Sequence, residues 1–188
     1  MIKFIVKKMV TSGVISNEDK EIYEYGVYQG MIDIFNLLSI VLVGYLFDCT
    51  MAIIIFTVGF RIFRKYAGGF HANTRIGCYV LTMVMIFIVA FCENVIEINT
   101  TISVLGVGLE GLYLWWFAPT ENLNNPLTEH EISIYREKNK KNILLFISFF
   151  GGGILFRCKT IVLNIFMIFT WISIASIAER IKNNLKGY

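Results

Sequence analysis

Cysteine, histidine and proline are all scarce in this chain of 188 residues, which holds four, two and two of them respectively. The four cysteines, Cys49, Cys78, Cys92 and Cys158, are widely scattered and form no C-x-x-C pair. That spacing excludes both a disulfide framework and a structural zinc site, and no metal or other cofactor is expected. Charge is scarce as well: charged residues make up 16% of the chain and the net charge is only +3, so nucleic acid is not an expected partner. The first residues, MIKFIVKKMV, lack the small-residue cleavage site of a secretory signal, so none is expected. Neither repeats nor a low-complexity linker divide the chain, and residues 1–188 read as one domain.

What the chain has instead is apolar surface. Hydrophobic residues make up 56% of it, gathered into long blocks. A bilayer core of roughly 30 Å needs about 20 apolar residues per helix. The sequence therefore predicts an all-α polytopic membrane protein with about six transmembrane helices. The spans are expected near 27–47, 49–65, 78–92, 101–118, 143–156 and 160–178. The fifth is expected to break at Gly151-Gly152-Gly153, and 119–142 reads as a polar loop. Ahead of the spans, Ile2, Ile5, Val6, Met9 and Val10 follow helical spacing with Lys3, Lys7 and Lys8 opposite. This is an amphipathic helix suited either to an anionic bilayer surface or to packing on the bundle. Ser16 is placed to cap the carboxylate-rich segment 17–25.

If loops alternate sides, all 17 lysines and arginines except Arg157 and Lys159 fall on one side. The positive-inside rule then puts both termini, the 64–77 loop and the 119–142 loop in the cytoplasm of a plasma-membrane protein.

The stretch RIFRKYAGGFHANTRIGC, residues 61–78, concentrates unusual chemistry at that face. A thiol is a useful nucleophile as a thiolate, which nearby positive charge or a helix N-terminus favours. With Asn73 or Thr74 as cap, Cys78 lies in the first turn of the third span, just after Arg75. His71 is the nearby candidate to take the thiol proton and return it to a leaving amine. Seven residues along one helix is roughly 10 Å of rise, so the chain must fold back between them. Gly68 and Gly69 make such a bend possible. Against this stands the ordinary role of a cysteine in an apolar helix, as a small packing residue. Arg61 and Arg64 share a helix face and could snorkel to lipid phosphate, bind a peptide carboxylate or hold the loop. Asp33 and Glu110, inside predicted spans, suggest polar contacts between helices or subunits.

The run Arg64-Lys65-Tyr66-Ala67-Gly68-Gly69-Phe70-His71-Ala72, followed by Cys78-Tyr79, resembles the signature of the AgrB family of membrane peptidases in Gram-positive quorum sensing. Ala118-Pro119 and Pro126-Leu127 resemble that family's proline-bearing segment after the fourth span. The resemblance implies a cysteine endopeptidase that removes the C-terminal tail of an AgrD-type precursor peptide. Cys78 would be the nucleophile, His71 its base, and Arg64 and Gly69 residues needed for activity, with Gly68 and Arg61 beside them. It also implies a homodimer and a cyclic thiolactone or lactone product. Two other readings stay open: a noncatalytic membrane transporter or scaffold, and a metal site on His71 and Cys78, for which two ligands are too few.

Overall fold

Each apolar run of the sequence becomes a helix, and the residues between the runs supply the stops. The computed structural model describes residues 2–70, 72, 74–97, 99–121 and 127–185. Among them the chain is all-helical, with α1 Ile2–Thr11, α2 Lys20–Leu46, α3 Thr50–Ala67, α4 Arg75–Val95, α5 Thr100–Phe117, α6 Glu129–Leu155 and α7 Lys159–Leu185. Two compact units divide the chain, residues 1–42 and 43–188.

In the first unit, α1 is the expected N-terminal helix. It ends where Gly13 takes a φ of 69° and Val14 N–H donates to the carbonyl of Met9 at 3.0 Å. The Ser16 hydroxyl oxygen accepts from the amide of Asp19 at 3.1 Å, the cap expected there. The polar segment 17–25 does not form a separate element. It runs directly into the first apolar span, giving one helix of 27 residues. Within it Gln29 donates to Asp33 at 3.2 Å, a contact one turn along the same helix.

The second unit is built round α7, which packs against α3, α4, α5 and α6. Phe63 of α3 stacks on Phe146 of α6 at 5.3 Å and meets Phe169 of α7 edge-on at 5.1 Å. Close approach depends on small residues: Gly59 and Gly106 lie against Ile168 and Phe166, where a Cβ would come within 2.7 and 2.5 Å. Backbones that approach this closely gain van der Waals contact, the main attraction between helices in lipid. Polar groups tie the same helices. Thr170 donates to Glu110 at 2.9 Å, the interhelical contact expected of that carboxylate. Asn164 donates to Glu93 at 2.8 Å, and the buried Asn139 donates to the carbonyl of Leu114 at 3.1 Å.

Two expectations need correction. The segment 119–142 is a loop only in its first part, because α6 begins at Glu129. Thr128 and Glu131 form a reciprocal capping box there, each side chain satisfying the other's backbone N–H. Nor does Gly151-Gly152-Gly153 break the helix, which continues to Leu155. A glycine in a helix costs about 1 kcal/mol against alanine. At Gly153 that cost has a reason: a Cβ would come within 2.9 Å of Ile161, on the helix folded back beside it.

Among the described residues, three helices, α2, α4 and α7, are long and apolar enough to cross a membrane. The other candidates from the sequence carry charge within their helices: Arg61, Arg64 and Lys65 in α3, Glu110 in α5, and the polar first turns of α6.

Candidate functional site

The stretch that follows α3 opens with a tight turn at residues 67–70, ahead of His71. Helix α3 ends at Ala67, and Gly68 and Gly69 follow with φ of 73° and 117°, the left-handed region that favours glycine. The turn is fastened on both sides. Thr120 N–H donates to the carbonyl of Ala67 at 2.9 Å, making an isolated parallel bridge between Gly68 and Thr120. Phe70 N–H donates to the carbonyl of Ala175 on α7, also at 2.9 Å. Side chains have no room here. A Cβ on Gly68 would lie 2.2 Å from the Thr120 oxygen, and one on Gly69 would lie 3.1 Å from the backbone of Ala175.

A polar floor lies under this turn. The hydroxyls of Thr120 and Ser176 are hydrogen-bonded at 2.5 Å, and Tyr113 reaches Ser176 at 3.1 Å. Arg180 donates to the carbonyl of Phe117, and Asn183 donates to that of Glu121 at 3.1 Å. The last turns of α7 thus hold both the 67–70 turn and the segment after α5.

Arg64 is half-buried beside the turn, and its guanidinium donates to the carbonyl of Phe70. It also lies 5.5 Å over the ring of Phe60. Arg61, one turn earlier, is exposed and does not join this cluster among the described residues.

Cys78 is free and exposed in the first turn of α4. Thr74 is the helix cap: its hydroxyl oxygen accepts from Gly77 N–H at 3.0 Å, and its carbonyl from Cys78 N–H at 3.0 Å. The positive end of the helix dipole therefore faces the thiol. Cys92 is buried, and Cys49 and Cys158 are partly buried at the other end of the helices, consistent with packing roles. His71, Asn73 and Pro126 lie outside the described residues. The structure accordingly brings Arg64, Gly68 and Gly69 together at one turn, and places Cys78 in the first turn of the following helix. It adds Ser176, Glu179 and Lys182, which the sequence reading did not select. Their only signal there was helical spacing, with Ser176 near the end of the last predicted span and Glu179 and Lys182 just after it.

The family model for accessory gene regulator B matches residues 2–181. The chain belongs to the AgrB family. Two AgrB-like proteins of Clostridium perfringens are each 28% identical to it over 152 residues, covering 75% of this chain and 66% of theirs. An AgrB-like protein of Clostridium acetobutylicum is 28% identical over 154 residues, covering 82% of this chain and 69% of its own. The chain thus spans just under two thirds of the length of the Clostridium perfringens relatives. No solved structure matches it. AgrB membership and the three long apolar helices together identify a membrane protein of the accessory gene regulator type.

Proposed function

We propose that this chain is a membrane-embedded cysteine endopeptidase of quorum sensing that trims an AgrD-type precursor and allows its cyclisation. The observation that carries the reading is the setting of Cys78. It is an exposed thiol at a helix N-terminus, eight residues after a turn that Arg64 fastens at the carbonyl of Phe70, the residue before His71.

In this mechanism His71 takes the proton of Cys78, and the sulfur attacks the scissile carbonyl carbon. The S–C bond forms, the C–N bond breaks, and His71 returns the proton to the leaving amine of the tail. The precursor remains as an acyl-enzyme thioester. Its own internal cysteine or serine then gives its proton to His71 and attacks that carbonyl, a ring closes, and the Cys78 sulfur leaves as a thiolate. Exchange of one thioester for another is nearly isoenergetic, so ring closure to a thiolactone needs no ATP. Holding the internal nucleophile beside the thioester supplies effective concentration. Competing water must be kept out, which a site at the bilayer surface favours. No cofactor enters these steps. Gly68 and Gly69 would shape the turn, Arg64 would fix it, and Arg61 would lie toward the incoming peptide.

The same reading makes residues 1–188 one peptidase domain with about six spans. Spans beyond α2, α4 and α7 would have their charges placed at the membrane boundary or against other helices. The lysine and arginine distribution supports a cytoplasmic face for the site and both termini. A homodimer is part of the proposal by family likeness.

The test is mass spectrometry of a reconstituted reaction with the candidate precursor, using wild type, Cys78→Ala and His71→Ala. The reading expects wild type to accumulate a tail-less thioester or cyclic product and both variants to lose it. Cleavage by Cys78→Ala at the wild-type rate would discard the mechanism and favour a transporter or scaffold.

A further inference from the structure

Two ammonium groups meet on one tyrosine ring where α3 ends beside α6. The Nζ of Lys65 lies 5.5 Å from the centre of the Tyr66 ring, and that of Lys138, on α6, lies 5.1 Å from the same ring. Tyr66 also meets Tyr135 of α6 edge-on at 5.8 Å, and Asn142 donates to the carbonyl of Ile62 at 3.3 Å, so the two helices are pinned along this line. Like charges held this close repel, and a carboxylate between them would relieve it. Among the described residues neither ammonium has one. The nearby carboxylate of Glu137 pairs instead with Lys141, at 2.7 Å. Both Lys65 and Lys138 are exposed.

An apolar surface leads up to this positive corner. Along α3 away from Lys65, Ile62, Val58 and Ile55 are exposed, and along α6 away from Lys138, Leu145 and Phe149 are exposed. Spacings of three, four and seven make each set one stripe on its helix. The ten residues from Ile55 to Lys65 rise roughly 15 Å, about half the thickness of a bilayer core.

We propose that this corner binds one anionic phospholipid, with its headgroup phosphate on Lys65 and Lys138 and its acyl chains along the α3 and α6 stripes. The occupant has to be negative and amphipathic at once. The paired ammonium groups call for a counter-charge, and the stripes beside them call for hydrocarbon. A phosphate-bearing lipid supplies both, whereas an acidic peptide supplies only the first. Lysine stems and tyrosine rings suit headgroup depth, where the apolar part stays in the bilayer and the polar tip in water. Basic pockets between membrane helices hold such headgroups at cytoplasmic faces. The inference rests on the reading of α3 and α6 as spans, and not on the peptidase chemistry. Tyr66 directly precedes the 67–70 turn, so a lipid held here would keep that turn at the bilayer surface.

The experiment is native mass spectrometry of the full chain released from nanodiscs of mixed phosphatidylglycerol and phosphatidylcholine. Wild type is expected to retain one phosphatidylglycerol in preference to phosphatidylcholine. Lys65→Gln/Lys138→Gln should lose about tenfold of that preference, and Lys65→Arg/Lys138→Arg should keep it. The control is Arg136→Gln/Lys140→Gln. It removes the same charge from another side of α6, where Lys140 lies 5.0 Å over the ring of Trp115, and should keep the preference. An equal loss in the control means a diffuse positive field and overturns the site. Displacement of the lipid by inorganic phosphate or by an aspartate-rich peptide overturns it too, marking an anion or peptide surface instead. Val58→Cys, treated with a membrane-impermeant maleimide in the same nanodiscs, tests the underlying span. Protection is expected. Labelling at residue 58 would place α3 outside the bilayer, and the span reading would fall together with the site. Protection without lipid preference sinks the site alone. Failure of wild type to cleave precursor bears on the peptidase proposal and leaves lipid retention unchanged.

Discussion

The amide of Phe70 donates to the carbonyl of Ala175 at 2.9 Å, fastening the turn after α3 to the last helix of the chain. Two glycines make that turn possible, and a hundred residues of sequence separate its two halves.

Gly68→Ala should be the most damaging small change at the turn. It places a Cβ 2.2 Å from the Thr120 oxygen at a φ of 73°. A left-handed non-glycine residue costs of order 1–3 kcal/mol, and the clash adds to it. Gly69→Ala, at a φ of 117° and 3.1 Å from Ala175, should also destabilise. Gly108→Ala is the control: it sits in α5 with nothing within 4 Å, and should stabilise by about 0.5–1 kcal/mol. Unfolding midpoints in one detergent give the order. Gly68→Ala as stable as wild type would contradict the close bridge to Thr120.

Arg64→Lys should not preserve function. The guanidinium reaches the Phe70 carbonyl while lying over the ring of Phe60. An ammonium cannot reproduce a planar donor that also stacks on an aromatic face. Cleavage is expected to fall by about tenfold or more, with the protein still folded. Near-normal kcat in Arg64→Lys would mean that charge alone suffices.

Asn139→Ala tests the α5–α6 contact. Asn139 is fully buried and donates to the Leu114 carbonyl. Its loss removes one of the two bonds that carbonyl accepts, the other coming from Ala118 N–H, at a cost of about 0.5–1.5 kcal/mol. A lower unfolding midpoint with unchanged Cys78 alkylation is expected, because the contact lies outside the turn. An effect on alkylation would reveal a coupling not evident from the contacts.

The capping box of α6 should respond to acid. The backbone N–H of Thr128 donates to the Glu131 carboxylate and holds its pKa below the usual glutamate range, with the Thr128 hydroxyl adding to this. A depressed carboxylate stabilises the fold above its unfolded pKa, about 4.3, and that contribution is lost as pH falls through the folded value. Carbon-13 NMR of labelled glutamate should therefore find Glu131 titrating low in the native protein. Thr128→Ala should raise its midpoint, and a midpoint equal in both would dismiss the box.

Much of this was legible in the sequence where the signals were local. The Thr74 cap, the turn at Gly68-Gly69 and the position of Cys78 in the first turn of α4 follow from residues adjacent in the chain. The start of α6 was also local, since Thr128-x-x-Glu131 is a capping-box pattern. It was missed because the charged residues that follow read as loop. The glycines at 151–153 misled for the opposite reason: their need for space against Ile161 depends on a corner the pattern does not show. Least legible was the floor of the site. Nothing near Gly69 announces Ala175, because that pairing is created only when α7 packs against α3.

That arrangement has a consequence for the timing of synthesis. The stretch carrying Arg64, Gly68, Gly69 and Cys78 leaves the ribosome early, but its seat at residues 175–179 emerges about a hundred residues later. A nascent chain halted before Ala175 has the thiol without the support beneath the turn. On the peptidase proposal, competence then arrives late, with the final helix, and a half-made chain in the bilayer does not begin to trim peptide.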